Sequence, residues 1–226
     1  MTPSSDRPGL FLSIDGPSGT GKSTTIEHLV PMLVAADHDV HLTHEPSNGP
    51  IGVLARELTD TVRGQALAFL YAADRYHHLD TEIRPQLAAG RTVVTDRYTP
   101  SGLVMQRFDG VELTDLWHLN AAADRPDLTV ILDADPDLIA MRLNHRGAHN
   151  RLQTEDRCSH DEMRFYADAM SVLVAGGYNV FRVDCTALTP EQVAGVIFGQ
   201  VTASRSAPAN LTALAGPPVG DNPERN

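Results

Sequence analysis

Short apolar runs rich in β-branched residues alternate along the chain with longer segments whose apolar residues recur every three or four positions. The short runs are typical of buried strands, and the longer segments are typical of amphipathic helices. The predicted strands are 10–14, 39–43, 92–95, 128–132 and 178–183. Strands that alternate with helices in this way favour an α/β fold with a mostly parallel sheet and helices on both faces.

Seven segments show the helical period. They are 23–34, 51–63, 65–89, 113–123, 136–144, 161–175 and 190–202. Pro85 lies inside the third segment, and because proline cannot donate a backbone hydrogen bond we expect a kink or break near Ile83 and Arg84. Residues 204–226 contain few large apolar side chains and are predicted to be a flexible tail. Residues 1–203 are predicted to form a single domain.

The composition argues against several classes of function. The formal net charge of −11 argues against a general nucleic-acid binder, whose affinity depends on basic patches. No apolar run approaches the roughly 20 residues that span a bilayer, and residues 1–9 do not have the pattern of a signal peptide. Cys158 and Cys185 form no close-spaced metal or redox motif, so we expect free thiols in a reducing cytoplasm. We therefore expect a cytoplasmic protein that binds neither nucleic acid nor membrane.

One loop carries most of the chemical information. The sequence GPSGTGKS at 16–23 fits the pattern G-x-x-x-x-G-K-[ST], and it lies between the first predicted strand and the first predicted helix. There, backbone N–H groups and the helix N-terminus can bind phosphate oxygens, Lys22 can reach the β- and γ-phosphates, and the Ser23 hydroxyl can ligate Mg²⁺. The alternative is a chance glycine-rich turn. The loop residues expected to bind ATP are Gly16, Ser18, Gly19, Thr20, Gly21, Lys22, Ser23 and Thr24.

Two further pairs of residues suit a nucleotide. Asp96 and Arg97 directly follow the third strand, where the carboxylate can orient Mg²⁺ and the guanidinium can clamp a second phosphate. An internal salt bridge is the alternative. Tyr71 and Arg75 are four residues apart on one helical face and could stack on and hydrogen-bond a planar base. A core aromatic beside a surface arginine is the alternative there.

A basic cluster occurs late in the chain. It contains Arg142, Arg146, Arg151 and Arg157, around a polar Gly-Ala-His-Asn segment at 147–150. A loop of this kind can close over a triphosphate and bring an arginine to the charge that develops during phosphoryl transfer. We therefore predict a lid near 144–158, with a solvated basic loop as the alternative.

Taken together, these motifs resemble those of the thymidylate kinase family of nucleoside monophosphate kinases. The resemblance extends from about residue 10 to about residue 198. Its main carriers are Glu45-Pro46, the segment 71–75, the segment 96–101 with Gln106, the segment 125–128, and Arg146-Gly147 with Arg151.

The resemblance implies a three-layer P-loop NTPase fold with a five-stranded parallel sheet, and a homodimer. It implies transfer of the γ-phosphoryl group of ATP to dTMP, giving dTDP and ADP, with Mg²⁺ held by Ser23 and Asp96. The implied acceptor residues are Asp15, Ser18, His44, Glu45, Pro46, Tyr71, Arg75, Arg97, Ser101 and Gln106.

On the donor side, Arg142 and Arg146 would join the loop residues. The family divides by where its catalytic arginine lies. Gly19 occupies the loop position that carries this arginine in one group, so the sequence resembles the other group, in which the lid supplies it. The implied catalytic residues are therefore Lys22, Arg97 and Arg151.

Three departures from the family pattern lie on the acceptor side. Ser18 stands where the family commonly has an acidic residue that contacts the sugar 3′-hydroxyl, and a neutral hydroxyl is a weaker acceptor. His44 replaces the arginine usually found before Glu-Pro, and the segment 45–50 lacks the usual paired glycines. These departures keep two alternatives open. One is a kinase of a modified or non-thymidine nucleotide or a nucleoside, and the other is a nucleotide-binding module without catalysis.

Overall fold

The computed structural model describes residues 8–146 and 158–206. Five parallel strands form one sheet in the order β2-β3-β1-β4-β5. The strands are β1 Leu10–Asp15, β2 Val40–His44, β3 Thr92–Asp96, β4 Leu128–Asp133 and β5 Val180–Asp184. Every strand ends one residue later than predicted, because the last residue of each is an aspartate or a histidine that the apolar pattern does not mark.

Helices cover both faces of the sheet, as predicted. They are α1 Lys22–Ala35, α2 Pro50–Leu58, α3 Gly64–His78, α4 Arg84–Ala88, α5 Thr99–Gly102, α6 Leu113–Asn120, α7 Pro136–Arg146, α8 Cys158–Ala175 and α9 Pro190–Ser206. Alternate residues of β1 face opposite layers: Leu12 and Ile14 pack in the cluster with residues of α1 and α9, and Phe11 packs in the cluster with Leu79 and Ile83. The sheet thus lies between two helical layers.

The long third helical segment does not end at Pro85. A π-helical turn, Leu79–Ile83, joins α3 to α4, and the N–H of Arg84 donates to the carbonyl of Leu79, five residues earlier. The backbone at His78 and Ile83 keeps helical dihedral angles. The widened hydrogen-bond pattern therefore accommodates the proline without a break in the helix, and a kink there stays a prediction.

Two predicted segments fall largely outside the described residues. Helix α9 runs to Ser206, past the predicted start of the tail at residue 204, and residues 207–226 lie outside the described part. Most of the predicted lid, 147–157, also lies outside it. The division into one domain and a tail stays a prediction. Among the described residues, no helix has the length and apolar character needed to cross a membrane.

Candidate active site

The phosphate loop lies between β1 and α1. Gly16 has φ of 138°, and a Cβ atom there would lie 2.2 Å from the carbonyl oxygen of Leu132, so the turn requires glycine. The side chain of Lys22 is buried, and its Nζ donates to the carbonyl oxygens of Gly16 and Pro17, at 2.8 Å each. Burial, followed by the positive charge of Arg97, lowers the pKa of Lys22 to about 7. The ammonium group is therefore held inside the loop where phosphate would bind.

Ser23 and Asp96 meet at one end of the loop. The Ser23 hydroxyl donates to Asp96 Oδ2 at 2.9 Å, and Asp96 Oδ1 is buried without a hydrogen-bond partner among the described residues. A hydroxyl beside a carboxylate with a spare buried oxygen is a donor set that suits Mg²⁺. The adjoining phosphate cavity has a volume of about 150 Å³. It is lined by Ser18, Gly19, Gly21, Lys22, Ser23, Thr24, Asp96 and Arg97.

The backbone turns sharply at Arg97, directly after β3. Its φ of 71° lies in the left-handed region that non-glycine residues rarely adopt. Hydrogen bonds hold this turn: the Arg97 N–H donates to the carbonyl of Ile14 at 2.9 Å, and the Arg97 carbonyl accepts from the Thr95 hydroxyl at 2.8 Å. The guanidinium donates to the Ser101 hydroxyl at 3.2 Å. Arg97 is thus fixed between the phosphate loop and α5.

Asp15 lies beneath this turn, fully buried. Its Oδ1 accepts hydrogen bonds from the Ser101 hydroxyl at 2.7 Å and from the N–H groups of Ser101 and Tyr98 at 3.1 Å each. Burial raises the pKa of Asp15, against the opposing effect of the Ser101 hydroxyl. Asp15 therefore positions Ser101, which lines the acceptor cavity, and is not itself among the residues that line it.

A cavity of about 320 Å³ opens beside the phosphate loop, within the usual range of small-molecule sites, roughly 300–1,000 Å³. We call it the acceptor cavity. It is lined by Ser18, Glu45, Pro46, Arg56, Thr59, Asp60, Tyr71, Arg75, Arg97, Tyr98, Ser101, Gly102, Met105 and Glu162. The Tyr71 hydroxyl lies 2.9 Å from Thr59 Oγ1, which fixes the ring against α2.

Arg75 and Glu45 form a buried ion pair on the wall of this cavity. Glu45 Oε2 accepts from Arg75 Nε at 2.9 Å and lies 2.7 Å from Nη2. Arg75 also donates to Asn120 Oδ1 and to the Tyr98 carbonyl. Burial opposes the charge of Arg75, but Glu45, Tyr98 and Asp15 together outweigh it and the pKa of Arg75 is raised. Arg75 is thus a fixed, permanently charged group.

Besides Asp15, two predicted acceptor residues, His44 and Gln106, are not among the residues that line the cavity. His44 ends β2, half-buried and in register with Asp96, and it is not among the residues that line the acceptor cavity. Gln106 is buried in a 3₁₀ turn, Met105–Asp109, and its Oε1 finds no hydrogen-bond partner among the described residues. Its neighbour Met105 lines the cavity instead.

A third cavity, of about 220 Å³, lies on the other side of the phosphate loop. It is lined by Gly19, Thr20, Gly21, Thr25, Arg142, Cys185, Leu188, Pro190 and Val193. Arg142 approaches the carbonyl of Gly19 at 3.5 Å. A partly apolar site here suits the nucleoside of a bound triphosphate, and Arg142, one of the predicted ATP-binding residues, lines it. Arg151 lies outside the described residues, and of Arg146 only the backbone, in α7, is described.

Seven residues that line the acceptor cavity were not predicted from the sequence, and two of them, Arg56 and Glu162, hold neighbouring backbone in place. Arg56 of α2 donates to the carbonyls of Pro46 and Ser47 at 2.7 and 2.9 Å. Glu162 of α8 is buried, and its Oε1 accepts from the N–H of Ser18 at 3.1 Å. Both belong to regular helices, α2 and α8, and neither is part of a sequence motif that would mark it as a site residue.

A phosphate loop after the first strand of a parallel sheet, with a cavity on each side of the loop, defines a P-loop phosphotransferase. Comparison with known proteins narrows this class. The family model described as thymidylate kinase matches residues 14–193. The chain belongs to the thymidylate kinase family, and the resemblance found in its motifs is thereby confirmed.

Relatives in several bacteria carry the same description. A thymidylate kinase of Xanthomonas oryzae pv. oryzae (strain PXO99A) is 42% identical over 151 residues, which cover 66% of each chain. The thymidylate kinase of Clavibacter sepedonicus is 38% identical over 165 residues, 69% of this chain and 78% of its own. The thymidylate kinase of Solidesulfovibrio magneticus is 35% identical over 205 residues, 85% of this chain and 98% of its own. The chain thus spans just under two thirds of the Xanthomonas relative and nearly the whole of the Solidesulfovibrio one.

Proposed function

We propose that the protein transfers the γ-phosphoryl group of ATP to dTMP, producing dTDP and ADP. The observation that carries the proposal is that Ser18 and Arg97 line both the phosphate cavity and the acceptor cavity. A donor phosphate in the loop and an acceptor phosphate at Arg97 would therefore be neighbours. The relatives named as thymidylate kinases support dTMP as the acceptor.

The residues of the site would act by alignment and charge neutralisation. The acceptor phosphate oxygen is already anionic near neutral pH, so the transfer needs no strong general base. Lys22 and Arg97 would neutralise charge on the donor and acceptor phosphates. We propose that Arg151 completes this set. Mg²⁺ at Ser23 and Asp96 would supply further neutralisation of phosphate charge when bound.

At its far end, the acceptor cavity suits a pyrimidine base. Tyr71 offers an aromatic face and Arg75 a fixed guanidinium, and both line the cavity. Arg75 donates three hydrogen bonds, to Glu45, Asn120 and Tyr98, and a guanidinium has five N–H groups, so it retains donor capacity for a ligand. We also propose that the adenine of ATP binds in the cavity beside Arg142. We propose further that the molecule is a homodimer and that it works in the cytoplasm.

The test is ADP release in the presence of Mg²⁺ against a panel of acceptors: dTMP, dUMP, dCMP, UMP, a base-modified thymidylate and thymidine. We expect dTMP to give the highest kcat/KM and chelation of Mg²⁺ to abolish turnover. Lys22→Met should lose at least about 100-fold in kcat, and serves as the control for contaminating kinases. If a modified nucleotide or thymidine is phosphorylated faster than dTMP, the result would favour a kinase of another acceptor. If ATP binds tightly but its γ-phosphoryl group is transferred to no acceptor, the result would favour a nucleotide-binding module without catalysis.

A further inference from the structure

Glu162 is a buried carboxylate to which the transfer of phosphate gives no role. It projects from α8, is 3% exposed and lines the acceptor cavity beside Ser18. Its Oε1 accepts the N–H of Ser18 at 3.1 Å. The Ser18 side chain also hydrogen-bonds to this carboxylate. Because a carboxylate can accept about four hydrogen bonds, capacity remains for a ligand in the cavity.

The charges around Glu162 indicate what kind of ligand group it can take. Burial raises the pKa of Glu162, and the positive charges of the nearby Lys22 and Arg97 oppose this rise. Glu162 Oε1 acts as an acceptor towards the Ser18 N–H, and a carboxylate in this state repels a phosphate and accepts from neutral donors. The ligand group that suits Glu162 is therefore a neutral donor of the acceptor nucleotide.

The chemistry of dTMP offers two such donors at neutral pH: the ring N3–H and the 3′-hydroxyl. Tyr71 and Arg75 suit the base and Arg97 suits the phosphate, and all three line the cavity. The sugar lies between base and phosphate in the nucleotide itself. Glu162 is in contact with Ser18, at the phosphate end, so the donor within its reach is the sugar hydroxyl.

We propose that Glu162 binds the 3′-hydroxyl of the acceptor nucleotide and supplies the carboxylate that Ser18 does not. The inference rests on the proposed function, because it takes dTMP as the acceptor. It also accounts for Ser18 in a position where the family commonly carries an acidic residue: the negative charge comes from α8 to the same part of the cavity. Glu162 is thus a specificity-determining residue for the sugar.

The test compares dTMP with 3′-deoxythymidine 5′-monophosphate, which lacks only that hydroxyl. The wild-type protein should prefer dTMP in kcat/KM by about 10–150-fold, the range expected for a hydrogen bond to a charged group. In Glu162→Gln the preference should fall at least about fivefold, with kcat/KM for the 3′-deoxy compound nearly unchanged. Asp161→Asn, on the exposed side of the same helix, is the matched control and should keep the full preference.

A double variant moves the carboxylate from position 162 to position 18, which is in contact with it. Ser18→Asp combined with Glu162→Ala should prefer dTMP over the 3′-deoxy compound by more than about fivefold. A double variant without any preference would count against the inference that both positions face the 3′-hydroxyl. Equal losses on both substrates in Glu162→Gln would show a purely structural role and overturn the inference.

The two substrates can also be compared with the wild-type protein alone, and this comparison does not depend on whether any variant folds. Turnover of both substrates without preference would overturn the inference and leave the proposed function intact. No turnover of dTMP at all would overturn the proposed function itself, and the inference with it.

Discussion

At the scale of single residues, the fold strongly alters the protonation of Lys22. The ammonium group is buried against two carbonyl oxygens, and burial together with Arg97 lowers its pKa to about 7. A bound triphosphate would bring negative charge to the same atom and raise this pKa again. Binding of ATP should therefore be coupled to the uptake of a proton.

This coupling predicts that the affinity for a non-hydrolysable ATP analogue falls as the pH rises above 7. Above that pH the free protein has mostly neutral Lys22, whereas the bound form needs the ammonium, so each further pH unit costs up to about tenfold in affinity. Calorimetry at pH 8 in two buffers with different ionisation enthalpies would measure the uptake, which we expect to approach one proton per ATP bound.

Lys22→Arg is the matched control, because a guanidinium stays protonated throughout this range. In this variant residue 22 takes up no proton on binding, whereas the protons exchanged by the nucleotide itself are still measured. A wild-type protein that takes up no more protons than the arginine variant would contradict the prediction.

Sequence reasoning found the site residues that belong to compact motifs and missed the one that reaches the site from far along the chain. Lys22, Ser23, Asp96 and Arg97 all line one cavity, as predicted from the loop and the end of β3. Glu162 is separated from Ser18 by 144 residues and belongs to no motif. Its place is set by how α8 packs on the sheet, which no local pattern contains.

At the scale of elements, α2 fixes one wall of the acceptor cavity. Its Arg56 holds the carbonyls of Pro46 and Ser47, and Asp74 of α3 accepts from the Ser47 N–H and hydroxyl at 2.7 and 2.6 Å. Gly52 allows α2 to approach this segment closely, since a Cβ there would lie 2.2 Å from the Ser47 carbonyl oxygen. The glycine is thus required by packing.

We predict that Gly52→Ala destabilises the protein by about 1–3 kcal/mol, the usual cost of overpacking. Because α2 must move away from Ser47, the KM for dTMP should rise more than the KM for ATP. Denaturant unfolding and steady-state kinetics with each substrate varied in turn would measure the two effects.

Gly199→Ala in α9 is the control, because a Cβ there meets nothing within 4 Å. It should stabilise the protein by about 0.5–1 kcal/mol through helix propensity and leave both KM values unchanged. If Gly52→Ala behaved like Gly199→Ala, the close approach of α2 would not be needed for stability or for the acceptor site.

The elements themselves were predictable where their pattern is long. All five strands were located from apolar runs. Burial on both faces explains this for the inner strands β1, β3 and β4, whereas the edge strands β2 and β5 are buried only in part. The helix α5 and the 3₁₀ turn after it span four and five residues, too few to show a helical period. The π-helical turn before Pro85 was missed because proline predicts only that a hydrogen bond is lost, not how the helix adjusts.

At the scale of the whole molecule, the acceptor cavity is less acidic than the chain around it. The chain carries a formal net charge of −11, whereas the cavity is lined by three arginines, Arg56, Arg75 and Arg97, and by three carboxylates, Glu45, Asp60 and Glu162. The arginines are held by oxygen atoms of the protein: carbonyls for Arg56, Glu45 for Arg75 and Ser101 for Arg97. An acidic protein thus gathers guanidinium groups where an anionic substrate would bind.

The homodimer is a second property of the whole molecule, and the exposed apolar side chains suggest where it would form. Helices α2 and α3 pack together and expose Leu54 (45%) and Phe69 (59%) to solvent. Large exposed apolar groups on adjoining elements are typical of protein–protein interfaces. They lie on the two helices that also form the acceptor cavity.

We predict that the wild-type protein has a molar mass twice the 24.5 kDa of one chain in light scattering after size exclusion, and that Phe69→Glu lowers it to that of one chain. The introduced carboxylate would have to be buried without a partner in the interface, which costs more than a dimer of ordinary size can offset.

Val174→Glu is the matched control, since Val174 on α8 is equally exposed, at 60%, but lies on another part of the surface. A dimer that survives Phe69→Glu and dissociates in Val174→Glu would place the interface on α8, and a single-chain mass for the wild-type protein at micromolar concentration would show that the chain acts as a monomer.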